Sequence, residues 1–173
     1  MIIKNARVDW LFVWEPSKKG KYSCAVMLPK TDPQVKEVEA AIAKAVQAGI
    51  AGGKFTDAQV KSAQFKKCLR DGDAEIETEG RPKHYAGHVF FNVTNKSQPG
   101  IVGPDTKPLM DRDKLYSGCY CHLDVNFAPF NNESRGVGAY LNNIMLVKEG
   151  ERLDGRQAPE EAFSGLQVAD DLQ

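Results

Sequence analysis

Several things are scarce in this 173-residue chain, and each scarcity removes a class of protein. The four cysteines, Cys24, Cys68, Cys119 and Cys121, are too few and too irregularly spaced for a disulfide framework. A reducing cytoplasm is therefore the expected setting. No apolar run approaches the roughly 20 residues needed to span a bilayer. The N-terminus lacks the basic, then apolar, then small-residue layout of a signal peptide, so no membrane partner is expected. No glycine-rich phosphate loop and no Ser/His/Asp or Cys/His arrangement is legible, so neither an enzyme nor a cofactor is implied. Internal repeats and low-complexity tracts are absent as well.

Net charge is also missing, because 23 Lys and Arg balance 23 Asp and Glu. The balance hides a segregation. Residues 149–173 carry seven acids and only the bases Arg152 and Arg156, a net of −5. Residues 1–148 hold 21 bases against 16 acids, a net of +5. A basic body with an acidic tail is a frequent plan among proteins that hold a polyanion, since the tail can compete for the same groove or recruit partners. A solvated C-terminus with no task explains the charge alone equally well.

Periodicity divides the chain into strands around a helical insertion. Residues 2–14 alternate as a strand, with Trp10, Phe12 and Trp14 on one face and Leu11 and Val13 on the other. Pro16, Ser17 and Gly20 mark a turn, and Tyr22 to Leu28 completes a hairpin. Helical spacing follows: Thr31 or Asp32 caps, Pro33 opens, and Val35, Val38, Ile42 and Val46 form one stripe, ended by Gly49, Gly52 and Gly53. Thr56 to Gln59 reads as a capping box for a second helix running to about Leu69. Asp71-Gly72-Asp73 breaks it, and Ala74 to Lys83 reads as a charged loop. Further strands are expected at 86–95, 118–127 and 136–148, with a proline-bearing loop at 99–114 and a turn around 131–135. The expected fold is mainly β with a helical insertion over about residues 32–69: a five-stranded antiparallel barrel of OB type. Residues 1–150 form this domain, and 151–173 form the acidic tail.

Ordered motifs carry a family resemblance. They are Lys21-Tyr22-Ser23, Asp71-Gly72-Asp73, and Tyr85-Ala86-Gly87-His88 leading into Phe90-Phe91-Asn92. Tyr116-Ser117-Gly118-Cys119-Tyr120 follows, then Gly136, Leu141-Asn142-Asn143 and Lys148-Glu149-Gly150-Glu151. In this order they span residues 1–163. The chain resembles the phage-type single-stranded DNA-binding proteins with an OB fold, a family formerly described as a domain of unknown function. The resemblance implies sequence-independent binding of single-stranded DNA in phage replication or recombination, in the cytoplasm of a bacterial host. It does not point out the contacting residues. The usual OB helix lies between strands three and four, whereas the helices expected here lie between two and three. Either the family inserts them there, or a strand lies within Ala74 to Lys83.

A single-strand binder needs cations to track phosphates and aromatic faces on which bases stack. The Trp10-Phe12-Trp14 stripe reads first as barrel core, with Trp14 retained as a contact candidate. Lys19, Lys21 and Tyr22 flank the first hairpin turn, Lys83 and Tyr85 precede the third strand, and Lys96 borders the proline-bearing loop. Tyr116 and Tyr120 bracket the start of the fourth strand, and Arg135 sits in the last turn. Phe90 and Phe91 point to opposite faces, and Phe91 is taken as the outward one. In the tail, Phe163, Asp170, Asp171 and Leu172 are candidates for docking replication proteins. A homo-oligomer stays open.

Two other classes are weighed. An OB-like barrel could serve as a protein-binding or virion assembly module. Asp71 with Asp73, or Asp111 with Asp113, could hold Mg²⁺ for nuclease chemistry, although aspartate is favoured in turns for backbone reasons. Cys119, Cys121 and His122, with His84 and His88 elsewhere, lack the paired knuckles of a zinc site, so no metal is expected.

Overall fold

In the computed structural model, residues 1–157 and 159–166 are described. Their elements, in order, are β1 (Ile2–Phe12), β2 (Tyr22–Pro29), α1 (Gln34–Ala51), α2 (Asp57–Val60), β3 (Phe65–Lys66) and β4 (Arg70–Asp71). Then come α3 (Gly72–Glu79), β5 (His88–Asn95), β6 (Gly100–Val102), β7 (Tyr120–Asn131), β8 (Arg135–Lys148) and α4 (Pro159–Ala162).

Five long strands close a barrel. β1 pairs antiparallel with β2 and β7, β2 with β5, and β7 with β8. The ring shuts where β5 meets β8 in parallel, at Val93↔Ala139 and Thr94↔Tyr140. This is the expected OB-type barrel. β8 organises the closure, because one edge carries β7 while the other carries β3, β5 and β6 in succession. Alternation sets the interior: Cys24, Val26 and Leu28 from β2, Phe91 and Val93 from β5, and Leu123 and Val125 from β7 point inward.

The helical insertion does lie between the second and third barrel strands. α1 forms from the expected stripe, and Val35, Val38 and Ile42 pack on the barrel core. It runs through Gly49, which has no Cβ because the Phe55 ring and Pro129 press against that spot. Gly52 caps it instead.

The second helix is far shorter than expected. Its capping box is present, with Thr56 Oγ1 accepting from the Gln59 N–H at 3.2 Å and Gln59 Oε1 accepting from the Thr56 N–H at 2.9 Å. It nevertheless stops at Val60. Phe65 packs edge-on against Phe55, with ring centroids 5.1 Å apart, and β3 then pairs with Arg135 and Gly136 of β8. Tertiary pairing thus overrides helix propensity here. Nor does Asp71-Gly72-Asp73 end a helix. The Asp71 side chain accepts from the Asp73 N–H at 3.0 Å and starts α3, where a charged loop was expected. No barrel strand lies in Ala74 to Lys83.

α3 covers part of the outer face of β2 and β5. Ile76 packs with Met27, Tyr85 and Phe90 in a second small core. Glu75 holds Arg70 at 2.5 Å and Arg81 at 2.6 Å. Arg81 in turn lies 4.4 Å above the Phe90 ring. Farther along that face, Ser23 and Thr94 are half-buried and Asn92 is exposed among the described residues.

Candidate nucleic-acid interface

The strand β1 does not keep strict alternation. Its pairing with β2 slips between Asp9 and Phe12, and Trp10 takes φ +48°, a left-handed conformation that a bulky residue rarely adopts. Local hydrogen bonds hold this bulge. The Trp10 N–H donates to Asp9 Oδ1 at 2.8 Å, and the Leu11 N–H donates to Ser117 Oγ at 3.1 Å. Asp9 is itself buried. Its Oδ2 accepts the Tyr85 hydroxyl at 3.0 Å and lies 2.8 Å from His84 Nε2. Burial and the neighbouring Asp9 charge push the Tyr85 hydroxyl well above its ordinary pKa, so it stays a donor.

The bulge turns two large aromatic side chains outward. Trp10 is 57% exposed and Phe12 39%, while Val13 turns into the core. The two rings form a ridge between two grooves. The first groove, about 310 Å³, is floored by Ser23, Ala25, Asn92 and Thr94, with Lys19, Lys21 and Arg81 along it. No acid lines it, and of its three cations Arg81 is paired with Glu75 at 2.6 Å. Lys19 and Lys21 form no ion pair among the described residues. The second groove, about 600 Å³, includes Trp14, His84, Tyr116 and Ser117, and its three arginines are matched by Asp9, Asp113 and Asp154. An anion is therefore favoured in the first groove more than in the second.

The comparisons with known proteins bear on this geometry. A family model described as Enterobacter phage Enc34, ssDNA-binding protein, matches residues 1–173. The chain belongs to that family. Protein p50 of Acyrthosiphon pisum secondary endosymbiont phage 1 is 28% identical over 184 residues, covering 98% of this chain and 95% of that one. Among solved structures, the single-stranded DNA-binding protein from bacteriophage Enc34 in complex with ssDNA aligns at TM-score 0.71 and 17% identity, covering 88% of each chain. gp2.5, a single-stranded DNA-binding protein encoded by bacteriophage T7, aligns at TM-score 0.64 and 14% identity, covering 100% of this chain and 98% of its own. At such identities the likeness is one of fold. The family is one of DNA-binding proteins and not of enzymes.

Within this family member, the residues singled out from sequence do not gather in one place. Lys19 and Lys21 line the first groove. Trp14 and Tyr116 line the second, both half-buried. Trp14 Nε1 donates to the Leu115 carbonyl at 3.2 Å, and the Tyr116 hydroxyl donates to the Gly150 carbonyl at 2.9 Å. Arg152 lies 3.9 Å from the centre of the Tyr116 ring. Tyr120 is likewise occupied, with Arg7 at 5.8 Å and Lys148 at 4.7 Å from its ring centre. Tyr22 is half-buried at the start of β2, opposite Asn95. Lys83 and Lys96 are exposed but line neither groove. Arg135 lies at the β7–β8 turn beside Phe65 and Lys66, in a separate pocket. Phe163 is exposed just after α4, whereas Asp170, Asp171 and Leu172 lie outside the described residues.

Two candidates are corrected. Phe91 is fully buried inside the barrel, 5.4 Å from Phe127, because strand alternation turns it inward with Val93 and sends Phe90 to the second core on the other face. Tyr85 is fully buried with its hydroxyl on Asp9. Neither offers a ring to a base. The Asp pairs are also committed elsewhere. Lys30 Nζ sits 2.7 Å from Asp71 and 2.6 Å from Asp73, and Asp111 accepts from the Asp113 N–H at 3.0 Å. The Asp71 and Asp73 carboxyls are held below their ordinary pKa, chiefly by the Lys30 hydrogen bond. Cys119 and Cys121 are buried, and among the described residues no cluster could hold a metal.

Three residues of the first groove escaped the sequence reading: Trp10 and Phe12 as outward rings, and Arg81. A bulge leaves no periodic trace.

Proposed function

We propose that this protein binds single-stranded DNA without sequence preference, stacking bases on Trp10 and Phe12 and pairing phosphates with Lys19, Lys21 and Arg81. One observation carries the reading. Two exposed aromatic rings on a braced bulge stand beside an acid-free cationic groove, on the open face of an OB-type barrel, in a member of a phage ssDNA-binding family. Stacking tolerates any base, since every base has a π-face, and side-chain cations read only the phosphates. Tyr116 and Trp14 serve the second groove once Arg152 moves aside. The setting is phage DNA replication or recombination in the host cytoplasm.

The acidic tail has a place in this reading. Residues 151–156 run along the second groove. There the Leu153 N–H donates to the Ser117 carbonyl at 2.9 Å, and Arg7 donates to the Glu151 carbonyl at 3.0 Å. The tail thus departs beside Trp10. Its charge matches that of DNA, so it competes for the grooves and becomes available to partner proteins when DNA displaces it.

The test is a titration with a fluorescent single-stranded 30-mer, matched duplex and matched RNA at two salt concentrations. Salt-sensitive binding that favours the single strand supports the reading. Equal or absent binding overturns it and moves attention to protein partners. Deletion of residues 158–173 raises affinity at low salt, and an unchanged affinity leaves the tail without this role.

A further inference from the structure

The barrel's pairing registers place one aromatic residue at the end of the first groove that the binding site described above does not include. Phe12 of β1 pairs with Ser23 of β2, Ser23 with Thr94 of β5, and Thr94 with Tyr140 of β8. This is one unbroken cross-strand row. Their immediate neighbours Cys24, Val93, Ala139 and Leu141 point into the core, so the row itself lies on the barrel's outer face. Phe12 is 39% exposed at one end and Tyr140 is 37% exposed at the other. Only the small hydroxyl side chains of Ser23 and Thr94 stand between them.

The Tyr140 ring differs from the other tyrosines. Cations lie over Tyr116 and Tyr120, Tyr85 is buried and Tyr22 is half-buried, whereas Tyr140 is exposed and no cation lies over it among the described residues. The hydroxyl end of its ring rests against Gly138, where a Cβ would come within 2.9 Å of the oxygen. Glycine at that position lets the ring lie close to its own strand. β8 fills the core through Ala139 and Leu141, so the Tyr140 ring contributes little to the interior.

We propose that Tyr140 is a further base-stacking platform, so that the single-strand track crosses the parallel β5–β8 seam rather than ending at Thr94. From β1 to β8 the row takes three inter-strand steps, roughly 14 Å along the surface at about 4.8 Å each. Bases stack at the aromatic ends while the sugar-phosphate backbone passes over the Ser23 and Thr94 hydroxyls. This inference rests on the single-stranded DNA reading above.

The experiment measures affinity for an oligothymidine length series with wild type, Tyr140→Ala, Tyr140→Phe and Trp10→Ala. Tyr140→Ala loses roughly five-fold to a hundred-fold on long oligonucleotides, the worth of one stacked base. Its loss vanishes on the shortest oligonucleotide that wild type binds, and its salt slope stays that of wild type, because no charge is removed. Tyr140→Phe binds as wild type. Wild-type protein photocrosslinked to a 5-iodouracil oligonucleotide carries adducts at Tyr140, which removes any question of a variant's folding. If Trp10→Ala weakens binding while Tyr140→Ala binds every length like wild type and no crosslink maps to β8, the inference is overturned and the functional reading stands. If wild type binds no single strand, both fall together.

Discussion

The Tyr85 hydroxyl donates to the buried Asp9 carboxylate at 3.0 Å, one residue before the most exposed tryptophan of the chain. Asp9 faces two ways. Its Oδ2 is held from β5's side by Tyr85 and His84, and its Oδ1 holds the Trp10 N–H in the bulge. A side chain classed as core thereby positions one classed as surface. Tyr85→Phe should cost about 1.5–3 kcal/mol, the usual worth of a hydrogen bond to a charged group. Asp9→Ala should cost more, because it strands the buried hydroxyl. Urea denaturation reads both, and DNA affinity should fall in Asp9→Ala even where the protein is fully folded.

Trp10 and Phe91 should separate binding from stability. Phe91→Ala empties a fully buried site and should destabilise by about 3–5 kcal/mol, with unchanged DNA affinity per folded molecule. Trp10→Ala should alter stability by no more than roughly 0.5 kcal/mol, as for other surface positions. It should nevertheless lose most DNA-dependent fluorescence quenching. Denaturation and titration on the same two preparations give the comparison, and the opposite pattern would exchange the two roles.

Salt dependence should sort the cations by location. Removing one phosphate contact flattens the log affinity against log salt slope by about 0.7 for single strands. Lys19→Ala and Lys21→Ala, both in the first groove, should each flatten it by up to that amount. Arg135→Ala, at the β7–β8 turn, should leave it unchanged. A flattened slope in Arg135→Ala would extend the DNA track to that end of the barrel.

Glu75 should confer an acid-sensitive part of the stability. Burial alone would raise its pKa, but hydrogen bonds from Arg81 and Arg70 outweigh burial and hold the carboxyl below its ordinary value. A carboxyl depressed in the folded state stabilises above its unfolded pKa, and that contribution is lost as pH falls through the folded value. Glu75→Gln should therefore be less stable than wild type at neutral pH. The gap should close progressively from about pH 5 downward, near the ordinary carboxylate range. Thermal melts at pH 7 and at acid pH measure it, and a gap that widened in acid would contradict the clamp.

Much of the barrel could be read locally, because strands and helices write their period into neighbouring residues. The short apolar runs of β2 and β5, the alternation of β7 and β8, the Val35–Val38–Ile42 stripe and the Thr56–Gln59 box all depend on residues within a few positions of one another. The segregation of charge is likewise complete in the sequence itself. The placement of the site was decided by contacts between segments far apart in the chain. Trp10 faces outward because a bulge, braced by Asp9, Tyr85 and Ser117, shifts its strand off period two. Phe91 is buried because its face of β5 is the one the barrel closes over, while α3 covers Phe90 on the other. Tyr140 is brought beside Thr94 by a parallel pairing between strands 46 residues apart in sequence. Periodicity reports which residues alternate. Which of the two faces meets solvent depends on what packs there, and that is a property of the closed barrel.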